Sequence, residues 1–119
     1  LLGFRNQSDM PAVYAAANLL VLPSDGRETW GLVVNEALAC GCPVLVSEEV
    51  GCAPDMVSAL GGDVSFRCGD VDDLAERMHE RLLFPLDPDR LAQAGARFSV
   101  ERVVEGVLRC LNALAALRA

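Results

Sequence analysis

The fold is set by residues 19–46, which read LLVLPSDGRETWGLVVNEALACGCPVLV. The run Leu19–Leu22 is entirely apolar, which is typical of a parallel strand covered on both faces. Proline, serine, aspartate and glycine then interrupt regular structure, so residues 23–29 are expected to form a loop. From about Trp30 to Cys40 the apolar residues follow a helical spacing, and a glycine and a proline end that helix. A second apolar run follows at 43–46, so the stretch predicts a strand, a loop, a helix and a strand.

Further elements continue this alternation on both sides. Leu1–Phe4 has the pattern of another strand. A helix is predicted over residues 11–18, because the first turn of a helix tolerates a proline such as Pro11. The remaining predicted elements are a short helix at 54–60, a weak strand at 64–66, and helices from Asp70, at 89–97 and from about Val100. This order predicts an α/β fold with a doubly wound parallel sheet of about four strands. Because four strands are few for this class, we expect residues 1–119 to be one partial Rossmann-like domain, truncated on its amino-terminal side.

Composition excludes several classes of protein. The chain has 119 residues, of which 17 are acidic and 10 are basic, and 52% are hydrophobic, so a disordered or low-complexity protein is excluded. Its net charge of −7 is opposite to what phosphate contacts require, which argues against nucleic-acid binding. The apolar runs are far shorter than a membrane span. We therefore expect no integral membrane segment, and a location in the cytoplasm or at the cytoplasmic face of a membrane.

The five cysteines are odd in number and include no C-x-x-C pair. This pattern indicates neither a disulfide framework nor a zinc site. We expect buried, reduced thiols and no metal site.

The candidate site lies where the predicted loop meets the predicted helix. Ligands of open α/β sheets bind outside the carboxyl ends of the strands, and the free N–H groups of about Trp30 to Val33 would attract an anion there. Gly31 lacks a side chain, so a phosphate could approach the backbone. Glu28 in the loop and Glu36 in the second helical turn could accept hydrogen bonds from hydroxyl groups. A ligand with an anionic middle and hydroxyl-bearing ends, such as a nucleotide-sugar, suits this arrangement.

Two other functions fit the same residues. A non-catalytic nucleotide- or carbohydrate-binding module would use the carboxylates to bind its ligand and would catalyse no reaction. A glycosidase could use Glu28 and Glu36 as acid and as nucleophile or base, which requires the two carboxylates to lie about 5 to 10 Å apart across the scissile bond.

The whole string from residue 28 to residue 44, ETWGLVVNEALACGCPV, is more specific than its parts. Glu28, seven intervening residues and Glu36 within it closely resemble the signature of the retaining glycosyltransferases of family 4, the glycosyl transferases group 1, which have the GT-B fold. The resemblance extends upstream through residues 2–4, 11–17 and 21–24, and downstream through residues 50–57, 69–70 and 97–99. It implies the nucleotide-sugar-binding, carboxy-terminal part of such an enzyme.

By this resemblance, Glu28 is the candidate catalytic residue and binds hydroxyls of the donor sugar, and Glu36 binds the ribose hydroxyls. The backbone of the intervening residues would contact the sugar and its β-phosphate; these are Thr29, Trp30, Gly31, Leu32 and Val33. The family transfers the sugar with retention of configuration and in general without a metal or other cofactor. Its donor is a nucleotide-diphosphate sugar, and its amino-terminal domain binds the acceptor.

The chain departs from the family pattern in its charges. Family members hold the diphosphate with an Arg and a Lys from earlier elements of the same domain, and neither is in this chain. Arg27 is the nearest basic residue, and we expect it to be solvated, so this chain alone should not catalyse transfer.

Cys52 stands where family members commonly have a glycine after Gly51. The identity of the nucleotide base of the donor is therefore left open. The apolar stripe of the last helix, Val104 to Leu114, is expected to face the other domain or a partner.

Overall fold

The computed structural model describes residues 2–117. Its elements along the chain are α1 (Met10–Ala16), β1 (Leu20–Leu22), α2 (Leu32–Ala39), β2 (Val44–Ser47), α3 (Ala53–Leu60), a 3-10 turn (Gly62–Val64), β3 (Ser65–Phe66), α4 (Val71–Leu83), α5 (Pro88–Arg97) and α6 (Val100–Ala116). The α/β class expected from the sequence is confirmed.

The described residues form one parallel sheet of three strands in the order β1-β2-β3. Leu20 lies opposite Val44, and Val46 lies opposite Ser65. All four residues of the central strand β2 are buried, as its apolar sequence predicts for a strand with neighbours on both sides. Because the strands are parallel, their carboxyl ends meet at one edge of the sheet.

The prediction of a strand at Leu1–Phe4 is wrong for residues 2–4, which form no strand. Leu1 lies outside the described residues. Residues 2–4 pair with no strand, and the side chains of Leu2 and Phe4 are exposed. Gly3 adopts a left-handed conformation with φ of 65°, which interrupts an extended run. The sheet therefore has three strands between residues 2 and 117, and not about four.

The boundaries of α2 and α4 illustrate how local chemistry sets the ends of helices. α2 begins two residues later than expected, because Gly31 before it is left-handed, with φ of 95° and ψ of 59°. α4 begins as predicted, since the side chain of Asp70 accepts a hydrogen bond of 2.9 Å from the N–H of Asp73.

The core lies around β2 and between α2, α3 and α5. The buried core residues on these and the first helix are Tyr14, Val34, Ala37, Leu38, Ala53, Met56, Leu60, Leu91 and Ala94. α6 buries no side chain, and the apolar residues of its stripe are about half exposed or more. None of the helices between residues 2 and 117 has the length and apolar content needed to cross a membrane.

All five cysteines are free thiols in this structure, and they are not all buried. Cys42 and Cys52 are buried and Cys40 is partly so, whereas Cys68 and Cys110 are exposed. Cys68 lies in the loop before α4, and Cys110 lies on α6, which buries no side chain. The expectation of buried thiols is therefore wrong for these two residues.

Candidate functional site

The candidate site is formed where the loop after β1 lies against the segment after β2. The N–H of Gly51 donates to the carbonyl oxygen of Glu28 at 3.2 Å, and the N–H of Cys52 donates to that of Trp30 at 3.0 Å. These two hydrogen bonds hold residues 28–30 beside the second segment. The loop that carries Glu28 is thus fixed at the carboxyl edge of the sheet, where α/β folds bind ligands.

Gly51 is required for this contact. A Cβ atom at this position would overlap the backbone carbonyl of Thr29, so only glycine fits. The sequence analysis named Gly51 as part of the family motif without giving it a role. A glycine four residues after a buried strand was the available signal for a close backbone approach.

Gly31 serves the packing of the loop. It is buried and left-handed, and a Cβ atom on it would lie 3.0 Å from Cδ2 of Leu22 and 3.1 Å from Cγ1 of Val50. The missing side chain therefore leaves room for core residues on that side. Close approach of a phosphate to Gly31 stays a prediction.

The carboxylate of Glu28 lies at the beginning of α2. Its Oε1 accepts a hydrogen bond of 3.2 Å from the N–H of Gly31, a position that the helix dipole favours for negative charge. The N–H of Val34 donates to the carbonyl oxygen of Gly31 at 2.8 Å. Among residues 2–117, no group accepts a hydrogen bond from the backbone N–H of Leu32 or of Val33. These two N–H groups are therefore the ones left to donate to an anion.

Glu36 lies on the side of α2 that faces α1. Its Oε2 accepts a hydrogen bond of 2.8 Å from the hydroxyl of Tyr14, the one buried residue of α1. Burial, together with the adjacent carboxylate of Glu36, raises the pKa of Tyr14 to about 12. The carboxylate borders a cleft of about 250 Å³ that Met10 and Pro11 also line. Glu28 and Glu36 are therefore held by different neighbours, Gly31 and Tyr14.

The role of Tyr14 does not follow from the helix predicted over residues 11–18. Nothing in the local sequence links this residue to a glutamate 22 positions away. A tyrosine on the apolar side of a helix was the available signal, because a buried phenol requires a hydrogen-bond partner.

Trp30 connects the site to the end of α5. Its Nε1–H donates to Oδ1 of Asn35 at 2.9 Å, and Nδ2 of Asn35 donates to the carbonyl oxygen of Phe98 at 2.8 Å. The rings of Trp30 and Phe98 are 6.1 Å apart. Of the other predicted site residues, Thr29 and Leu32 are exposed, and Val33 is partly buried against the core.

Three arginines lie near the site: Arg27 in its loop, and Arg97 and Arg102, which line a cavity together with Trp30 and Leu32. Arg27 is exposed, as expected, and its Nε lies 3.5 Å from Oδ2 of Asp25 in a surface ion pair. No three His, Cys, Asp or Glu side chains converge within residues 2–117 in the way that metal binding requires. Whether the site works without a metal stays a prediction.

The chain resembles proteins of known activity over most of its length. It is 39% identical to a D-inositol 3-phosphate glycosyltransferase of Salinispora arenicola, over 84% of this chain and 23% of the relative. It is 38% identical to a GDP-mannose-dependent monoacylated alpha-(1-6)-phosphatidylinositol monomannoside mannosyltransferase of Corynebacterium glutamicum, over 80% of this chain and 25% of that protein. A 2-deoxystreptamine N-acetyl-D-glucosaminyltransferase of Streptomyces fradiae is 33% identical over 87% of this chain and 26% of its own.

The chain spans about a quarter of the length of these curated relatives. The family model described as "Glycosyl transferases group 1" matches residues 1–98, which contain the sheet, α2 and both glutamates of the site. The match ends at Phe98, so α6 lies beyond it. Since the match covers more than half of the chain, this protein belongs to the glycosyl transferases group 1 family.

Proposed function

We propose that the full-length protein transfers a sugar from a nucleotide-sugar donor to an acceptor with retention of configuration. In this proposal, residues 1–119 are the donor-binding part of its carboxy-terminal Rossmann-like domain, and a separate amino-terminal domain binds the acceptor. Family membership supports the reaction class, as do relatives named for the transfer of sugars. The observation that carries it is the position of Glu28 in the loop just before α2 and of Glu36 in the second turn of α2, a helix that begins at the carboxyl edge of a parallel sheet.

The geometry suggests how the donor is held. Oε1 of Glu28 is bonded to the N–H of Gly31, so its Oε2 is the oxygen available to hydroxyls of the donor sugar. The N–H groups of Leu32 and Val33 would donate hydrogen bonds to the β-phosphate at the beginning of the helix. The carboxylate of Glu36 would accept hydrogen bonds from the ribose hydroxyls in the cleft between α1 and α2.

The same geometry supports the proposal that this chain alone is inactive. Departure of a nucleoside diphosphate develops negative charge, which enzymes stabilise with preorganised donors and cations. The arginines near the site already have partners: Arg27 pairs with Asp25 and Arg102 with Glu105, and Arg97 lies over the ring of Phe98. Two backbone N–H groups remain at the beginning of α2. We infer that the cations for the diphosphate come from other parts of the full-length protein.

The lack of disulfides among the five cysteines supports a reducing compartment. We therefore propose that the protein acts in the cytoplasm, either free or peripheral to a membrane.

Donor binding is tested by titrating the full-length protein with UDP-, GDP- and ADP-sugars in a calorimeter. Glu36→Ala should weaken binding of the preferred donor by about tenfold or more, the usual cost of losing charged hydrogen bonds. Glu76→Ala, an exposed glutamate on α4, is the matched control and should bind as the wild type does. Unchanged affinity in Glu36→Ala would contradict the assignment.

Turnover separates transfer from the two other functions. The full-length protein is incubated with labelled donor and candidate acceptors, beginning with D-inositol 3-phosphate, which appears in the names of several relatives. A labelled product that depends on the acceptor supports transfer. Binding without release of nucleoside diphosphate would instead indicate a binding module, for which the pairing of Arg27 with Asp25 is the supporting observation. Release of free sugar without an acceptor would indicate a hydrolase.

A further inference from the structure

The contact between Tyr14 and Glu36 joins a rigid residue to a flexible one. The ring of Tyr14 belongs to the hydrophobic core and is 6% exposed, whereas Glu36 is exposed at the surface of α2. The two residues lie on different helices and are joined at 2.8 Å through the phenol hydroxyl and Oε2. An exposed glutamate otherwise samples many side-chain conformations. The buried phenol restricts Glu36 to conformations that reach the rim of the cleft.

The chemistry of the pair fixes the direction of the hydrogen bond. Because burial and the charge of Glu36 raise the pKa of Tyr14 to about 12, the phenol remains protonated at neutral pH and donates to the carboxylate. Among the described residues, Oε2 of Glu36 has this one donor and Oε1 has none. Oε1 is therefore the oxygen left to accept hydrogen bonds from a ligand.

We propose that Tyr14 is a positioning residue that holds the carboxylate of Glu36 in the orientation in which it receives the ribose diol of a nucleotide. This inference rests on the proposed function, in which Glu36 binds the ribose hydroxyls. Tyr14 lines the same cleft, but its hydroxyl already donates to Glu36, so its effect on the ligand runs through that carboxylate. Its effect should therefore be confined to ligands that have the hydroxyls that Glu36 recognises.

The test compares ligands with and without the ribose diol. Calorimetry on the full-length protein measures the affinities of UDP, GDP and ADP, and then of the 2′,3′-dideoxy form of whichever binds best. The proteins are the wild type, Tyr14→Phe, Glu36→Ala, the double variant and the control Glu76→Gln. Tyr14→Phe keeps the buried ring and removes the hydroxyl alone. We expect Tyr14→Phe to weaken the ribonucleotide by about tenfold and to leave the dideoxy form unchanged.

The double variant supplies the second comparison. If Tyr14 acts through Glu36, adding Tyr14→Phe to Glu36→Ala should produce no further loss. Equal loss for both ligands in Tyr14→Phe would mean that Tyr14 only supports the fold, and would overturn the proposal. A further loss in the double variant would overturn it too.

The outcomes distinguish this inference from the function on which it rests. If Glu36→Ala leaves the preference for the ribose form intact, the proposed role of Glu36 is wrong and the role of Tyr14 with it. If Glu36→Ala abolishes that preference and Tyr14→Phe does not, only the positioning role is overturned. Absence of binding by all three nucleoside diphosphates would overturn both.

Discussion

The carbonyl group of Thr29 occupies the space where a side chain on residue 51 would begin, so the loop before α2 meets the segment after β2 backbone to backbone. The hydrogen bond from the N–H of Gly51 to the carbonyl oxygen of Glu28 lies beside this contact. The position of Glu28 therefore depends on a residue that follows a different strand.

Gly51→Ala should displace this loop. Forcing a methyl group into a packed backbone contact typically costs about 1–3 kcal/mol, and we expect at least that loss of unfolding free energy in urea. Donor affinity should fall with it, because Glu28 and the residues up to Val33 move. Gly62→Ala is the matched control, since no atom lies within 4 Å of its added Cβ. Similar stability and affinity in the two variants would contradict the proposed role of Gly51.

Asn35→Ala should loosen the attachment of Trp30 to α5. The substitution removes the acceptor for the Trp30 Nε1–H and the donor to the Phe98 carbonyl, at a cost of about 1–3 kcal/mol. Trp30 is the one tryptophan of the 119 residues, so the fluorescence of this chain reports its surroundings directly. We expect emission shifted to longer wavelength as the indole gains water. Asn112→Ala on α6 is the control, and an unshifted spectrum in Asn35→Ala would count against the connection.

The cysteines should react in two groups. Iodoacetamide at pH 8 is expected to modify the exposed Cys68 and Cys110 first. Burial raises the pKa of Cys42 and brings that of Cys52 to about 11, so both thiols are protonated as well as inaccessible. Peptide mass spectrometry over a time course gives the order of labelling. Early modification of Cys52 would show that the segment after β2 opens.

Tyr14 should make stability depend on alkaline pH. An unfolded tyrosine titrates near pH 10, whereas Tyr14 in the folded protein titrates at about 12. Between these values the unfolded state binds fewer protons than the folded state, so the unfolding free energy falls as the pH rises. The stability difference between the wild type and Tyr14→Phe should therefore narrow above pH 10. Urea titrations from pH 8 to 11.5 measure it, and a constant difference would contradict the high pKa.

Much of the fold follows from local sequence. The buried strand β2 consists of an apolar run, Val44 to Val46, followed by Ser47, and Asp70 caps α4 in the way that its sequence position predicts. Residues 2–4 mislead because an apolar run by itself does not form a strand, which also requires a neighbour and an extended backbone, and Gly3 is left-handed. The two-residue error at the beginning of α2 also comes from a glycine, Gly31, whose conformation depends on packing against Leu22 and Val50.

The candidate site is predictable in its location and less so in its internal contacts. The position of Glu28 follows from the order of strand, loop and helix. The hydrogen bond from Tyr14 to Glu36 and the contact of Gly51 with Thr29 join residues from different elements, which a linear pattern does not reveal. The types of side chain in the sequence indicate which ligand groups the site could bind. Tertiary packing determines which of those side chains already have a hydrogen-bond partner within the protein.

α6 has a consequence for how the folding free energy is distributed along the chain. Its 17 residues add backbone hydrogen bonds and no buried side chain, and a helix of that length is only marginally stable in water by itself. Its amide protons should consequently exchange with solvent through local fraying, while those of β2 wait for global unfolding. Within residues 2–117 we therefore expect the cooperative unit to end near Phe98, with α6 in a separate helix–coil equilibrium.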